Sequence, residues 1–158
     1  MPSPSSEQRR ENTLNTRIIY QGRLINLRVN TVTLPHGGRS EREIVEHPGA
    51  VAAVALTAAG EVMLVRQWRQ AVAEEILEIP AGTCQPGEGD EECMRRELAE
   101  EIGYRPQRLQ SLGSIYASPG YSSESIHLFL ATELVPATAG ADADEFMQVV
   151  RVPLDEAL

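Results

Sequence analysis

Lysine is absent from this chain: all fourteen basic residues are arginine, set against twenty-three aspartates and glutamates for a formal net charge of −9. So acidic a chain lacks the broad basic patch on which nucleic-acid binding relies, and nucleic acid is not an expected partner. Long apolar runs are also absent. No stretch approaches the ~18 residues of a membrane span, and the polar N-terminus has no signal-peptide core. A soluble, cytoplasmic protein with no membrane contact is expected. Cysteine is scarce, and Cys84 and Cys93 match no zinc spacing. Two thiols in a chain without a secretory signal are expected to be reduced.

At 158 residues the chain is long enough for one core and too short to favour two, and no internal repeat is visible. Residues 1–15, rich in Ser, Pro, Glu and Arg, read as a disordered leader, leaving residues 16–158 as a single domain. Within it an N-terminal strand region covers about residues 16–47 and a core about 48–158. Strands are predicted at residues 17–20 and 24–34, with a hairpin partner at 41–46 after the turn at 35–38. A second pair follows at 51–56 and 61–67, and three more strands at 109–117, 125–131 and 146–152. Trp68 reads as a core residue, with stacking on an adenine as its other use. Pro153, with Asp155 and Glu156 after it, reads as the first turn of a helix.

One strong helix stands among these strands. Gly82 is followed after five residues by Glu88, and after seven more by the run Arg96-Glu97-Leu98-Ala99-Glu100-Glu101-Ile102-Gly103-Tyr104. Residues three and four apart share a helix face, so Glu97 lies beside Glu100 and Glu101. Crowded carboxylates repel one another and rise in pKa unless a cation neutralises them. Mg²⁺ answers that need, because it takes oxygen ligands and binds through one or two carboxylates together with substrate phosphate oxygens. A solvated acidic face paired with Arg95 and Arg96 is the structural alternative. The glycines favour the site, since Gly82 and Gly103 bracket the segment and Pro86-Gly87 turns the chain before Glu88. On the opposite face Met94, Leu98 and Ile102 recur every four residues as a stripe to be buried.

The spacing from Gly82 to Tyr104 is that of the Nudix box, and the chain resembles the ADP-ribose pyrophosphatase branch of Nudix hydrolases from about Ile18 onward. Tyr20-Gln21-Gly22-Arg23, the segment from Arg42 to Ala50, Val65-Arg66-Gln67-Trp68-Arg69 and Leu77-Glu78-Ile79-Pro80-Ala81-Gly82 carry that resemblance. The loop Ser118-Pro119-Gly120-Tyr121-Ser122-Ser123-Glu124 adds to it, with Pro119 fifteen residues past Tyr104 where the branch has a proline. Tyr104 stands in place of the usual aliphatic closing residue, and Gln85 where many relatives carry an acid.

The resemblance implies an α/β fold, a mixed-sheet α/β/α sandwich with the box as loop-helix-loop. It also implies a homodimer that exchanges its N-terminal antiparallel strands; relatives usually continue past the first turn at residue 153 through a long helix, and there this sequence departs from the pattern. The implied reaction is metal-dependent hydrolysis of ADP-ribose, a nucleoside diphosphate sugar, to AMP and ribose 5-phosphate. Mg²⁺ is the implied cofactor, with Mn²⁺ as a substitute. By position Glu97 and Glu101 become metal ligands, Glu100 completes the site, the Ala81 carbonyl adds a ligand, and Arg96 braces the box loop by pairing with Glu88. Arg69, Ser118 and Glu124 fall where the branch contacts substrate, and Arg23, Leu24 and Arg42 in the segment that reaches a partner's site. Arg69 as a surface ion pair and Glu124 as a cap on a strand or turn are the structural alternatives.

A general base is needed besides the metal ligands, because a cation depresses the pKa of any carboxylate it binds. The acidic run Asp142-Ala143-Asp144-Glu145 precedes the last strand. Glu145 is the preferred base, because a residue at a strand end is held better than one inside a loop. Two other functions fit the same residues: hydrolysis of a GDP-sugar, dinucleotide or other nucleoside diphosphate derivative, and nucleotide binding without turnover in a regulator.

Overall fold

The computed structural model describes residues 9–138 and 146–157. The chain divides into two compact units, Met1–Pro48 with Tyr116–Glu124, and Gly49–Ile115 with Ser125–Leu158.

The first unit is built on a three-stranded antiparallel sheet in the order β1 (Asn12–Gln21), β2 (Asn26–Thr33), β3 (Arg39–Glu46). The predicted turn at 35–38 closes the second hairpin, where Gly37 takes a positive φ of 87° and Leu34 N–H donates to Gly38 O at 2.7 Å. β1 begins at Asn12, inside the stretch read as a disordered leader, and this is a correction. Asn12 and Thr13 pair with Thr33 and Val32, so ladder bonding orders a segment whose polar side chains give no strand signal. All ten residues of β1 are exposed, among them Leu14, Ile18, Ile19 and Tyr20. The loop 116–124 joins this unit through backbone bonds to β3: Val45 N–H donates to Tyr121 O at 2.8 Å, and Ser123 N–H to Val45 O at 2.9 Å.

The second unit carries the core. Its sheet runs β10 (Met147–Pro153), β5 (Glu61–Arg69), β4 (Ala50–Leu56), β9 (Ser125–Pro136), β8 (Tyr104–Tyr116), with β6 (Glu74–Glu78) on β5 and the two-residue β7 (Ala81–Gly82) on β4. The sheet is mixed, because β4 and β9 run parallel from Ala50↔Ile126 to Ala55↔Ala131 while β5 is antiparallel to both of its neighbours on the main path. β6 and β7 escaped the sequence reading. Three of the five β6 residues are glutamates, which are depleted in strands, and two residues cannot display a period. After Pro153 a single turn forms, with Glu156 N–H donating to Pro153 O at 3.0 Å.

Alternate residues of the central strands make the core: Val51, Ala53 and Ala55 from β4, Met63 and Val65 from β5, Phe129 and Ala131 from β9. Against them lies α1 (Asp90–Ile102), which buries Cys93, Met94, Leu98 and Ile102. It is the one α-helix among the described residues, so the second helical layer implied by the resemblance is not represented there. Three acids, Asp90, Glu91 and Glu92, occupy its first turn, where the helix dipole favours negative charge. Gly103 ends it in the left-handed region at φ 72°, its N–H donating back to Leu98 O. The alanines of β4 leave room for the helix, and the apolar stripe fixes which way its glutamates face.

Truncating that stripe leaves a void in close-packed surroundings, so Leu98→Ala is expected to destabilise the protein by about 2–5 kcal/mol in urea unfolding. A loss below about 1 kcal/mol would show that this helix face does not carry the core.

Candidate active site

Box loop and helix are joined by a small number of strong contacts. β7 anchors the loop to the sheet through Ala52↔Ala81 and Val51↔Gly82. The chain then turns at Pro86-Gly87, where Gly87 has φ 85° and Glu88 N–H donates to Gln85 O at 3.0 Å. Glu88 returns the bond, its Oε2 accepting from Gln85 N–H at 2.9 Å.

Arg96 sits at the centre. Its Nε and Nη2 hold the two Glu88 oxygens at 2.9 Å each, a fork that matches a carboxylate. Nη1 meets Glu97 Oε1 and Glu100 Oε2, both at 2.8 Å. These contacts raise the Arg96 pKa above its ordinary value, hydrogen bonding to Glu88 contributing most and burial opposing it. The same fork lowers the Glu88 pKa, against partial desolvation and with help from Gln85 N–H.

The other two carboxylates lie on the loop backbone. Glu101, only 9% exposed, accepts from Ala81 N–H at 3.0 Å. Glu97 packs on Gly82 so closely that a Cβ there would stand 2.0–2.4 Å from its carboxylate atoms. No side chain fits at that position without displacing Glu97, a requirement that spacing alone does not express. Glu97 therefore lies on Gly82 and Glu101 on Ala81, while Arg96 holds Glu97 together with Glu100. This oxygen-only donor set, with the cradle at Gly82, fits a hard divalent cation.

The start of the helix is tethered to the sheet. Asp90 Oδ2 lies 2.7 Å from His127 Nδ1, and Ser111 Oγ lies 2.7 Å from His127 Nε2, while the imidazole stacks on Phe129 at 4.3 Å. Ser111 Oγ also accepts from Gly113 N–H at 3.3 Å, so this chain joins α1, β9 and β8.

The remaining predicted residues are distributed between the units. Arg69, at the end of β5, pairs with Glu78 of β6 at 2.8 Å. Trp68 beside it is 56% exposed, its Nε1–H donating to Gln70, so the core assignment is corrected: Trp68 and Arg69 form the exposed end of β5, past its buried residues Val62, Met63 and Val65. In the first unit Arg42 and residues 119–123 line a cleft of ≈ 390 Å³ together with Glu11, Glu43 and Ile44. The Arg42 fork is held by Glu11, which raises the arginine's pKa, its side-chain hydrogen bond being the largest cause. Ser118 O accepts from Tyr121 and Ser122 N–H at 3.1 and 2.8 Å, and Glu124 Oε1 faces His47 Nδ1 at 3.8 Å. Arg23 and Leu24 lie exposed between β1 and β2, outside the cleft lining. Asp142, Asp144 and Glu145 lie outside the described residues.

The cysteines depart from expectation. Cys84 of the box loop and Cys93 of α1 form a disulfide with their Cα atoms 5.3 Å apart, so the reading as two reduced thiols is corrected. Absence of a zinc spacing said nothing about proximity, which the loop's return onto the helix creates.

A mixed sheet bearing one helix, with a loop-helix box of arginine-clamped glutamates, defines a Nudix-fold protein. The NUDIX domain family matches residues 46–158, and the chain belongs to that family as a Nudix pyrophosphohydrolase. An ADP-ribose pyrophosphatase of Bacillus subtilis (strain 168) is 43% identical over 150 residues, 94% of this chain and 81% of that protein. A methanol dehydrogenase activator of Bacillus methanolicus matches to the same extent, 43% over 150 residues with the same coverage. The solved structure of an ADP compounds hydrolase superposes with a TM-score of 0.84 at 26% identity, over 96% of this chain and 82% of that one. Nudix hydrolases generally need divalent metal ions, in keeping with the donor set here.

The Glu88–Arg96 fork makes stability depend on pH. Because the folded-state pKa of Glu88 lies below its ordinary 4.5, the stabilisation is complete above that value and is lost as pH falls through the folded-state one. Urea unfolding of wild type and Glu88→Gln is expected to show the largest difference near pH 7 and a shrinking one towards about pH 3. A difference independent of pH would deny the fork its electrostatic role.

Proposed function

We propose that the chain hydrolyses the pyrophosphate bond of ADP-ribose, adding one water to give AMP and ribose 5-phosphate. The observation that carries this reading is the seating of Glu97 and Glu101 on residues 82 and 81 of the box loop, with Glu97 and Glu100 both paired to Arg96. The 43% identity to an ADP-ribose pyrophosphatase supports the choice of substrate. A divalent ion, Mg²⁺ with Mn²⁺ as substitute, supplies charge neutralisation at the pyrophosphate oxygens and a polarised water when bound. Glu97, Glu101 and the Ala81 carbonyl would hold it, and Glu100 would complete the set. Arg96 keeps Glu88 and the loop in register with the helix, so the ligands are positioned before substrate arrives. Glu145 serves as the base.

Arg69, Ser118, Glu124, Arg23, Leu24 and Arg42 are assigned to the substrate. Arg42 is already paired with Glu11, so a phosphate there displaces a carboxylate. We assign the chain a homodimer with exchanged N-terminal strands, a reading supported by the exposed apolar residues Leu14, Ile18, Ile19 and Tyr20 on β1. The activator relative from Bacillus methanolicus supports a second reading, a regulator that binds nucleotide without turnover. The intact glutamates favour catalysis, because binding alone does not require all of them.

Release of phosphate after coupled phosphatase treatment, over a panel of ADP-ribose, GDP-mannose and dinucleotides with Mg²⁺ or Mn²⁺, tests the substrate. ADP-ribose is expected to give the highest kcat/KM, and no turnover of any member would leave the regulator. Glu101→Gln keeps an acceptor for Ala81 N–H, so folding survives while kcat falls at least about a hundredfold. Wild-type turnover at saturating Mg²⁺ would sink the metal role. Sedimentation at micromolar concentration is expected to give a dimer, and a fully active monomer would reject the exchanged strands.

A further inference from the structure

We propose that Cys84 and Cys93 form a redox-active pair whose disulfide state tightens the box for its divalent ion. The inference rests on the reading of residues 81–101 as a metal site. Cys84 lies between Gly82, on which Glu97 packs, and Glu88, which Arg96 holds; Cys93 is one helical turn before Arg96, with its Sγ 3.6 Å from Arg96 Nη2. The bond therefore spans the part of the loop left between its two other anchors, the β7–β4 pairing and the Glu88–Arg96 fork. A link across nine positions restricts the open loop far more than the folded one, so breaking it frees residues 83–87 to move about their ion pair.

The two thiols differ in access: Cys84 is partly exposed, whereas Cys93 is fully buried. Attack by the Cys84 thiolate on a low-molecular-weight disulfide, RSSR, forms a Cys84–SR mixed disulfide and releases one RSH. The Cys93 thiolate then displaces the second RSH, closing Cys84–Cys93. Both protein protons end on the two departing thiols and RSSR is the species reduced. Excess RSH reverses both steps.

Linkage makes the effect reciprocal: if the disulfide tightens metal binding, the metal favours the disulfide by the same factor. The test uses the full chain equilibrated in glutathione buffers, quenched by alkylation and counted by mass, with Mn²⁺ affinity measured from free Mn²⁺ by electron paramagnetic resonance. Mn²⁺ is chosen because the ligand atoms of Cys84, Glu88 and Cys93 lie within 4.8 Å of one another, where a softer ion would report on the thiols instead. Mn²⁺ is expected to bind at least about fivefold tighter to the disulfide form and to shift the glutathione midpoint towards it by the same factor. Cys84→Ser is expected to bind as the reduced form does under all conditions. Failure of the pair to oxidise at any glutathione ratio, or equal Mn²⁺ affinity in both states with an unmoved midpoint, overturns the coupling alone. Absence of Mn²⁺ binding in both states overturns the metal reading and the coupling with it.

Discussion

Everything at the box depends on the Arg96 guanidinium. Glu88, Glu97 and Glu100 all lie within 2.9 Å of it, and each is largely withdrawn from solvent. Four charged groups so close, one positive and three negative, leave a local excess of negative charge, a setting that favours a cation. The single arginine thus does two things: it closes the loop through Glu88, and it leaves the neighbouring carboxylates short of positive charge. A lysine here would lose the first of these, because an ammonium cannot present the planar fork that holds both Glu88 oxygens.

The helix that carries Arg96 is oriented by its other face. Met94, Leu98 and Ile102 are buried against the small residues of β4, which turns Glu97 and Glu101 towards β7. Core packing and the site are therefore one constraint read from two sides, and Gly82 is the point where they meet. Its missing side chain is what allows a carboxylate from the helix to rest on the loop.

How much of this was legible in the sequence follows from how local each signal is. The box was legible because its spacing, its helix period and its glycines are all encoded within twenty-three residues. The strands of the core showed through their runs of Val, Leu and Ala. β6 did not, because glutamates mask it, and β1 was placed too late because its first residues are Asn and Thr, ordered by pairing with β2. Trp68 is exposed although its residue type favours burial, because it falls at the end of β5 past the buried residues, a position that no residue type reports. The Cys84–Cys93 bond, the Glu11–Arg42 fork and the laying of residues 116–124 on β3 join positions brought together only by folding.

The pairing of the arginines bears on how so acidic a chain can hold a polyphosphate. Arg42 is held by Glu11, Arg69 by Glu78, Arg28 by Glu46 and Arg96 by Glu88. A phosphate arriving at Arg42 or Arg69 would therefore exchange with the carboxylate already there, and the net gain would be the difference between the two anions on the same fork. Exposed pairs of this kind are individually weak and readily exchanged. They keep each guanidinium extended and oriented while adding little affinity of their own. Attraction strong enough to overcome a net charge of −9 must come from somewhere else. A divalent ion, which Nudix hydrolases generally need, would reverse the local field, and binding of substrate and of metal would then depend on one another before any chemistry begins.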